Sequence, residues 1–270
     1  MGIIPHFLVI PFPVLGHINP LTQFSNVLIK HGCKVTFLHT EFAHKRAQIS
    51  AKDGGNSKDH SNINYVTLPD GLDQEDDRSD LVKVLLAMKS TMPSLLPKLI
   101  EDINALDSNN NKISCIVVTI NMGWALEVGQ KLGIKGALLF PGSATTMASF
   151  HCLPKMMEDG IIDSDGNTPN NQKIQFSPLM PMMDPFAWGT VGKDFFDYLY
   201  QQEIQLLNLA EWWLCNTAYN LEPGALSVSS RFLPIGPLME TDDNNNNKSS
   251  SFWQEDTTCL EWLDQQQPQS

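Results

Sequence analysis

The sequence is poor in positive charge and in long apolar runs. Lys and Arg number 18 against 30 Asp and Glu, which gives a formal net charge of -12 over 270 residues. Nucleic acids and anionic membrane surfaces reward clustered positive charge, so this balance argues against both as partners. No apolar stretch reaches the length of a bilayer span. We therefore expect a cytoplasmic protein with no nucleic-acid partner and no membrane span.

Cysteines are few and widely spaced. No pair has the CxxC spacing of a metal or redox site, and we expect no metal. We interpret all five as buried free thiols in a reducing compartment. They are Cys33, Cys115, Cys152, Cys215 and Cys259.

Several catalytic motifs are also missing. The chain has no GxxxxGK[ST], no GxGxxG after a strand and no GxSxG. Without these motifs, the sequence does not support assignment as an NTPase, a dinucleotide-dependent oxidoreductase or a serine hydrolase. An unrelated Rossmann enzyme would need a phosphate-binding glycine loop of this kind.

Short apolar or β-branched runs alternate with amphipathic stretches along most of the chain. This alternation predicts an α/β fold whose parallel sheet is covered by helices on both faces. A long helix is expected between the third and fourth runs, with Pro93 and Pro97 as candidate breaks. We interpret HTEFAH (39–44) as a loop. The runs that predict the first five strands are 6–12, 33–40, 63–69, 113–119 and 135–140.

The strand order expected for such a sheet places one histidine near a ligand site. In a 3-2-1-4-5 order the first and fourth strands are neighbours, and ligands bind at their carboxyl ends. His17 and residues 119–122 should therefore face one crevice. We place His17 just ahead of a helix whose first turn contains Pro20, so the helix field favours a neutral imidazole. A neutral imidazole can act as a general base near pH 7, whereas the alternative is a histidine that caps the helix or bonds a loop carbonyl.

Seven segments add a further signal because of their order. They are PFPVLGHINPL (11–21), HTEFAHKR (39–46), GWALEVGQKLGI (123–134), DGIIDSDGN (159–167), WLCNTAYNLEP (213–223), LPIGPL (233–238) and CLEWLDQQQPQS (259–270). In this order they resemble the plant family 1 UDP-dependent small-molecule glycosyltransferases, and the resemblance covers essentially the whole chain. It implies a GT-B enzyme, of which this chain would hold the Rossmann-like N-terminal domain that binds the acceptor.

The resemblance also implies a reaction. His17 would deprotonate a hydroxyl of a flavonoid, another phenolic or a terpenoid, and the oxyanion would attack the anomeric carbon of a UDP-sugar with inversion. UDP-glucose is the expected co-substrate, with no cofactor and no metal, and the protein is expected to act as a monomer.

One position departs from the family pattern. Aligned through CIVVTINMGW, Thr119 stands where the family has an aspartate that orients the histidine and stabilises the imidazolium. A threonine hydroxyl could accept the ring N–H, but a hydrogen bond to a charged partner is worth roughly 1.5–3 kcal/mol against about 1 for a neutral one. The base should therefore be weak. Three explanations stay open: a preference for acidic hydroxyls such as phenols, which we favour, a substitute acid nearby, or low activity.

Candidate binding residues follow from the same placement. An apolar, aromatic-rich pocket suits a flat polyphenol or a terpenoid. Ser143 and Thr145 are candidates for contact with the donor sugar, although Pro141 stands where the family often has a threonine. The acceptor-binding candidates are Phe12, Val14, Met122, Phe140, Phe186 and Trp188.

The domain organisation is predicted in three parts. Residues 1–239 form the acceptor-binding domain, 240–256 a disordered low-complexity linker, and 257–270 a helix leading to the nucleotide-sugar domain of the family. The Trp- and His-containing signature of that domain does not occur in these 270 residues. We expect this chain alone to bind acceptor and transfer no sugar. The alternative is a truncated, non-catalytic module that binds a small molecule.

Overall fold

The computed structural model describes residues 4–53, 62–106, 111–168, 172–183, 193–238 and 258–266. Within these residues the chain forms a parallel seven-stranded sheet in the order β3-β2-β1-β4-β5-β6-β7. The strands are β1 His6–Ile10, β2 Lys34–Thr40, β3 Ile63–Leu68, β4 Ile113–Val118, β5 Lys135–Phe140, β6 Trp212–Cys215 and β7 Phe232–Pro234. The predicted α/β class with a parallel sheet is confirmed.

Helices connect most of these strands and cover the sheet. They are α1 Leu15–Lys30, α2 Glu41–Asp53, α3 Leu81–Leu106, α4 Gly123–Lys131, α5 Ala144–Glu158, α6 Lys193–Tyr198, α7 Ile204–Leu207, α8 Pro223–Leu226 and α9 Thr258–Asp264. A π-helical segment, Leu199–Glu203, joins α6 to α7. No helix in the described ranges is both long enough and apolar enough to cross a membrane.

The strand order reverses beside β1. β1 pairs in parallel with β2 on one side and with β4 on the other, and Ile10 lies opposite Val118. The carboxyl ends of β1 and β4 are therefore adjacent, as the sequence predicts. We call these two strand ends and the turns that follow them the switch point, because ligands of open α/β sheets bind at such a reversal.

Both faces of the central strands are buried. Leu8 and Ile10 belong to the larger apolar cluster on one face, whereas Val9 belongs to a second cluster with Ile18 and Phe37 on the other. Alternate residues of a strand point to opposite faces, so a strand covered on both sides reads as one continuous apolar run. The switch point is thus built on strands that are packed on both faces.

Helix α3 continues unbroken through Pro93 and Pro97, which the sequence marks as candidate breaks. Each proline costs roughly 3 kcal/mol in a helix interior. A row of seven buried side chains from Val84 to Ile103 runs along the same helix. Each such burial contributes about 1.5–3 kcal/mol, so packing outweighs the two missing hydrogen bonds.

Two helix boundaries differ from the prediction. Helix α1 begins at Leu15, so His17 lies inside its first turn and Pro20 lies further in. The segment HTEFAH ends β2 and begins α2 and is not a loop. The Thr40 hydroxyl accepts a hydrogen bond from the Ala43 N–H at 3.1 Å. This is an N-cap interaction, and a threonine directly before a helix is a typical sequence signal for it.

Cys33, Cys115, Cys152 and Cys215 are free thiols, as predicted. Cys115 and Cys215 are buried, and burial raises the pKa of each thiol to about 12. Cys33 and Cys152 are only partly buried and Cys259 is exposed, all contrary to the prediction. Cys259 lies on the short helix α9, whose other described side chains are also exposed.

Candidate functional site

His17 is held by a tight turn between β1 and α1. The Val14 N–H donates to the Phe12 carbonyl at 2.8 Å, and the His17 and Ile18 N–H groups both donate to the Val14 carbonyl at 2.9 Å. The rings of Phe12 and His17 meet edge to face, with centroids 5.7 Å apart. The turn therefore fixes the imidazole close to the carboxyl end of β1.

The His17 imidazole is neutral at physiological pH. Burial lowers its pKa from 6.5 to about 4, and the nearby N-terminus of α1 acts in the same direction. Its Nδ1 atom is buried and has no hydrogen-bond partner among the residues that the structure describes. The ring can accept a proton, but desolvation is the one influence on its pKa from the described residues, and none of their carboxylates stabilises the resulting cation.

Thr119 follows β4 directly and is fully buried. Its hydroxyl oxygen accepts a hydrogen bond from the Phe12 backbone N–H at 2.9 Å. The sequence suggests that this hydroxyl could hold the His17 tautomer. In the structure it instead binds the main chain of the β1–α1 turn. The physical reason is that Phe12 lies just beyond the end of β1, where its N–H needs an acceptor.

A carboxylate that the sequence does not reveal organises the turn after Thr119. Glu203 is fully buried, and its Oε1 accepts hydrogen bonds from the N–H groups of Asn121 at 2.7 Å and Gly123 at 3.1 Å. The Tyr198 hydroxyl donates to Oε2 at 2.7 Å. Burial raises the pKa of Glu203, while these three hydrogen bonds oppose the rise.

The local sequence carries no signal for this arrangement. Glu203 lies 82 residues from Asn121 and belongs to the π-helical segment between α6 and α7. Asn121 has a positive φ of 75°, the left-handed conformation that asparagine tolerates better than most residues. Only the tertiary packing of α7 against α4 brings the carboxylate to this turn.

The predicted acceptor-binding residues are mostly buried. Phe12, Met122 and Phe140 are part of the larger apolar cluster and are at most 5% exposed. Val14 is half-buried and packs against that cluster. Phe186 and Trp188 lie outside the described residues. Of the candidates described, Val14 is therefore the one most open to solvent.

The donor-sugar candidates lie at the start of α5. The Ser143 side chain accepts a hydrogen bond from the Thr146 N–H at 3.1 Å. The Thr145 hydroxyl and N–H both donate to Glu222 at 3.0 Å, and the Ala144 N–H donates to the same carboxylate. A sugar that contacts Ser143 or Thr145 would therefore have to share groups that already cap the helix.

Across the part of the chain that the structure describes, no group of three His, Cys, Asp or Glu side chains could hold a metal ion.

The sheet order defines the fold class: the described residues form a Rossmann-like domain of the GT-B type, as in solved structures that share it. A solved Polygonum tinctorium UDP-glucosyltransferase, described as capable of glucosylating indoxyl, has the same fold with a TM-score of 0.67 at 23% identity. That match covers 98% of this chain and 56% of that protein.

Curated sequences extend the comparison. The chain is 37% identical to UDP-glycosyltransferase 83A1 of Arabidopsis thaliana and 28% identical to the 7-deoxyloganetin glucosyltransferase of Gardenia jasminoides. Each match covers 98% of this chain, which spans 60% of the length of each relative. No protein-family model matches the chain. The resemblance that the sequence predicts, to the plant UDP-glycosyltransferases, is confirmed.

Proposed function

We propose that this chain is the acceptor-binding part of an inverting UDP-glycosyltransferase in which His17 is the general base. The observation that carries the proposal is a half-buried, neutral imidazole at the switch point, with a pKa of about 4. The ring takes the proton of an acceptor hydroxyl, whose oxygen attacks the anomeric carbon of the sugar. The C–O bond to UDP breaks, and the configuration at that carbon inverts.

The low basicity of His17 restricts the acceptor. Full proton transfer to a base of pKa about 4 spans about 6 pKa units from a phenol and about 12 from an aliphatic alcohol. These spans correspond to about 8 and about 16 kcal/mol. General-base catalysis transfers the proton in the transition state and bears part of this cost, so the difference of about 8 kcal/mol between the two acceptors favours the phenol. We therefore propose a phenolic or similarly acidic acceptor, such as a flavonoid.

The remaining features are proposed from the resemblance. Residues 1–239 form the acceptor-binding domain, 240–256 the linker, and 257–270, which include α9, the segment leading into the nucleotide-sugar domain. UDP-glucose is the donor, and the protein is a cytoplasmic monomer. The acceptor contacts Phe12, Val14, Met122 and Phe140 along the crevice, Phe186 and Trp188 are further proposed contacts, and Ser143 and Thr145 face the donor sugar.

The proposal is tested by supplying a donor domain. The chain is fused to the part of UDP-glycosyltransferase 83A1 that it does not match, and transfer from UDP-glucose is measured with kaempferol and with geraniol. We expect transfer to kaempferol, at least a hundredfold slower transfer in a His17→Ala variant, and no transfer by the unfused chain. A fusion whose rate does not depend on His17 contradicts the assignment of the base.

A non-catalytic small-molecule binder is the second candidate. It is favoured by Nδ1 of His17, which has no partner among the described residues, and by a Thr119 hydroxyl that accepts a main-chain N–H. Kaempferol binding to the 270-residue chain, measured by calorimetry, together with an inactive but folded fusion, would favour the binder over the enzyme.

A further inference from the structure

We propose that Glu203 is a positioning residue of the acceptor site. It holds the turn after β4 in place, and this turn keeps the His17 ring in its buried position. The assignment of an acceptor site rests on the proposed function. The contacts themselves do not, and they form a continuous path from Glu203 to the imidazole.

The first step of the path is the clamp on the turn. Oε1 of Glu203 receives two main-chain N–H groups: that of Asn121, in the turn before α4, and that of Gly123, which the start of α4 leaves without a helical partner. The fit is close, because a β-carbon added at Gly123 would lie 2.7 Å from the Leu206 β-carbon and 3.2 Å from both Glu203 oxygens. The π-helical segment and the turn are thus seated directly against each other.

The second step runs from the turn to β1. The Met122 N–H donates to the Thr119 carbonyl at 3.2 Å, which closes the turn. The Thr119 hydroxyl then accepts the Phe12 N–H at 2.9 Å. The Phe12 ring lies against the His17 ring, so a turn released from Glu203 would free Thr119, then Phe12, and would open the imidazole to water.

Glu203 does not act as a substitute for the missing aspartate. Its two oxygens already receive two amide groups and the Tyr198 hydroxyl. The low pKa of His17 has burial as its cause, with no contribution from a nearby carboxylate. Glu203 therefore acts on the position of His17 and not on its charge, which separates it from the substitute acid considered from the sequence.

Side-chain variants can separate position from charge. Glu203→Gln keeps an oxygen for the two N–H groups, and the Tyr198 hydroxyl can accept from the new amide. Glu203→Leu removes both acceptors. Glu203→Asp keeps the carboxylate but shortens the side chain by one methylene, which moves its oxygens away from the two N–H groups. Glu222→Leu is the matched control, because Glu222 is another carboxylate that accepts two N–H groups at the start of a helix, α5.

The experiment is an NMR titration of the His17 ring in the 270-residue chain, with amide exchange measured at Asn121 and Gly123. We expect a wild-type His17 pKa of about 4, an unchanged value in Glu203→Gln and Glu222→Leu, and a value moved at least one unit toward 6.5 in Glu203→Leu. Exchange of the two amides should rise at least tenfold in Glu203→Leu only.

The outcomes decide the proposal without any sugar transfer, so its failure is distinct from failure of the proposed function. An unchanged His17 pKa in folded Glu203→Leu overturns it, as does the same shift in Glu222→Leu. If Glu203→Leu does not fold, Glu203→Asp decides: faster amide exchange with a raised His17 pKa supports the proposal, and an unchanged pKa overturns it. A shift in Glu203→Gln as large as that in Glu203→Leu or Glu203→Asp would show that charge matters, and would also overturn it.

Discussion

The hydroxyl of Thr119 accepts the backbone N–H of Phe12 at 2.9 Å and thereby ties the end of β4 to the end of β1. In the resembled family this position is an aspartate that serves the catalytic histidine. Here the residue serves the main chain, while Nδ1 of His17 is buried with no hydrogen-bond partner in the described part of the chain. The described site therefore has no carboxylate at this position to strengthen the base.

Restoring the carboxylate should broaden the range of acceptors. We expect Thr119→Asp in the fused enzyme to raise the rate with geraniol at least tenfold, which lowers the barrier by about 1.4 kcal/mol. The rate with kaempferol should rise by less. The reason is that a carboxylate stabilises the imidazolium most where proton transfer is hardest. Thr119→Ser is the control, because it keeps the hydroxyl that accepts the Phe12 N–H. Unchanged rates with both acceptors would contradict the explanation based on acceptor acidity.

The pH profile should report the weak base directly. Because burial lowers the His17 pKa to about 4, kcat/KM for kaempferol should stay level from pH 8 down to about pH 5 and fall below that. In Thr119→Asp the acidic limb should move upward, toward or above pH 6.5. Initial rates of the fused enzyme across this range test both statements, and a wild-type limb near pH 6.5 would show that His17 is more solvated than the structure has it.

Stability should fall as the solution becomes acidic, in part because of His39. This side chain is 3% exposed, and burial, assisted by His44, lowers its pKa to about 3. Between pH 6.5 and 3 the unfolded chain binds a proton at this site that the folded chain does not. The free energy of unfolding therefore falls with decreasing pH, by at most about 1.4 kcal/mol per pH unit for one histidine.

A variant isolates the His39 contribution. His39→Phe keeps an aromatic ring against Tyr65, whose ring stacks on His39 at 5.5 Å, and removes the titration. Urea denaturation at pH 7 and pH 5 should show a smaller loss of stability in this variant than in the wild type. Equal losses in the two proteins would mean that His39 is protonated in the folded state over this range.

Replacing either of two switch-point glycines with alanine should change the stability of the chain, in opposite directions. A β-carbon at Gly16 meets nothing within 4 Å, and the residue lies in the first turn of α1. Gly16→Ala should therefore stabilise the chain by up to about 1 kcal/mol and weaken kaempferol binding if the acceptor approaches this backbone. Gly123→Ala should destabilise it by about 1–3 kcal/mol, because the new methyl collides with Leu206. Thermal unfolding of both variants, with calorimetry for binding, checks the pair, and equal stability effects would contradict it.

Much of the fold was predictable because it depends on local patterns. Apolar runs predict the strands, alternation with helices predicts a parallel sheet, and the right-handed crossover rule leaves few strand orders. Helix boundaries were less predictable. The start of α1 at Leu15 and the unbroken α3 depend on how well their apolar faces pack, which no local window contains.

The sequence by itself determined that His17 and Thr119 lie at the ends of neighbouring strands, because parallel strands place their carboxyl ends at one edge. Tertiary structure alone decided what those side chains contact. The Thr119 hydroxyl reaches Phe12 across 107 residues, and Glu203 reaches Asn121 across 82. Buried main-chain N–H groups must find acceptors wherever the fold brings one near, and that requirement, which is not encoded in any motif, placed both groups.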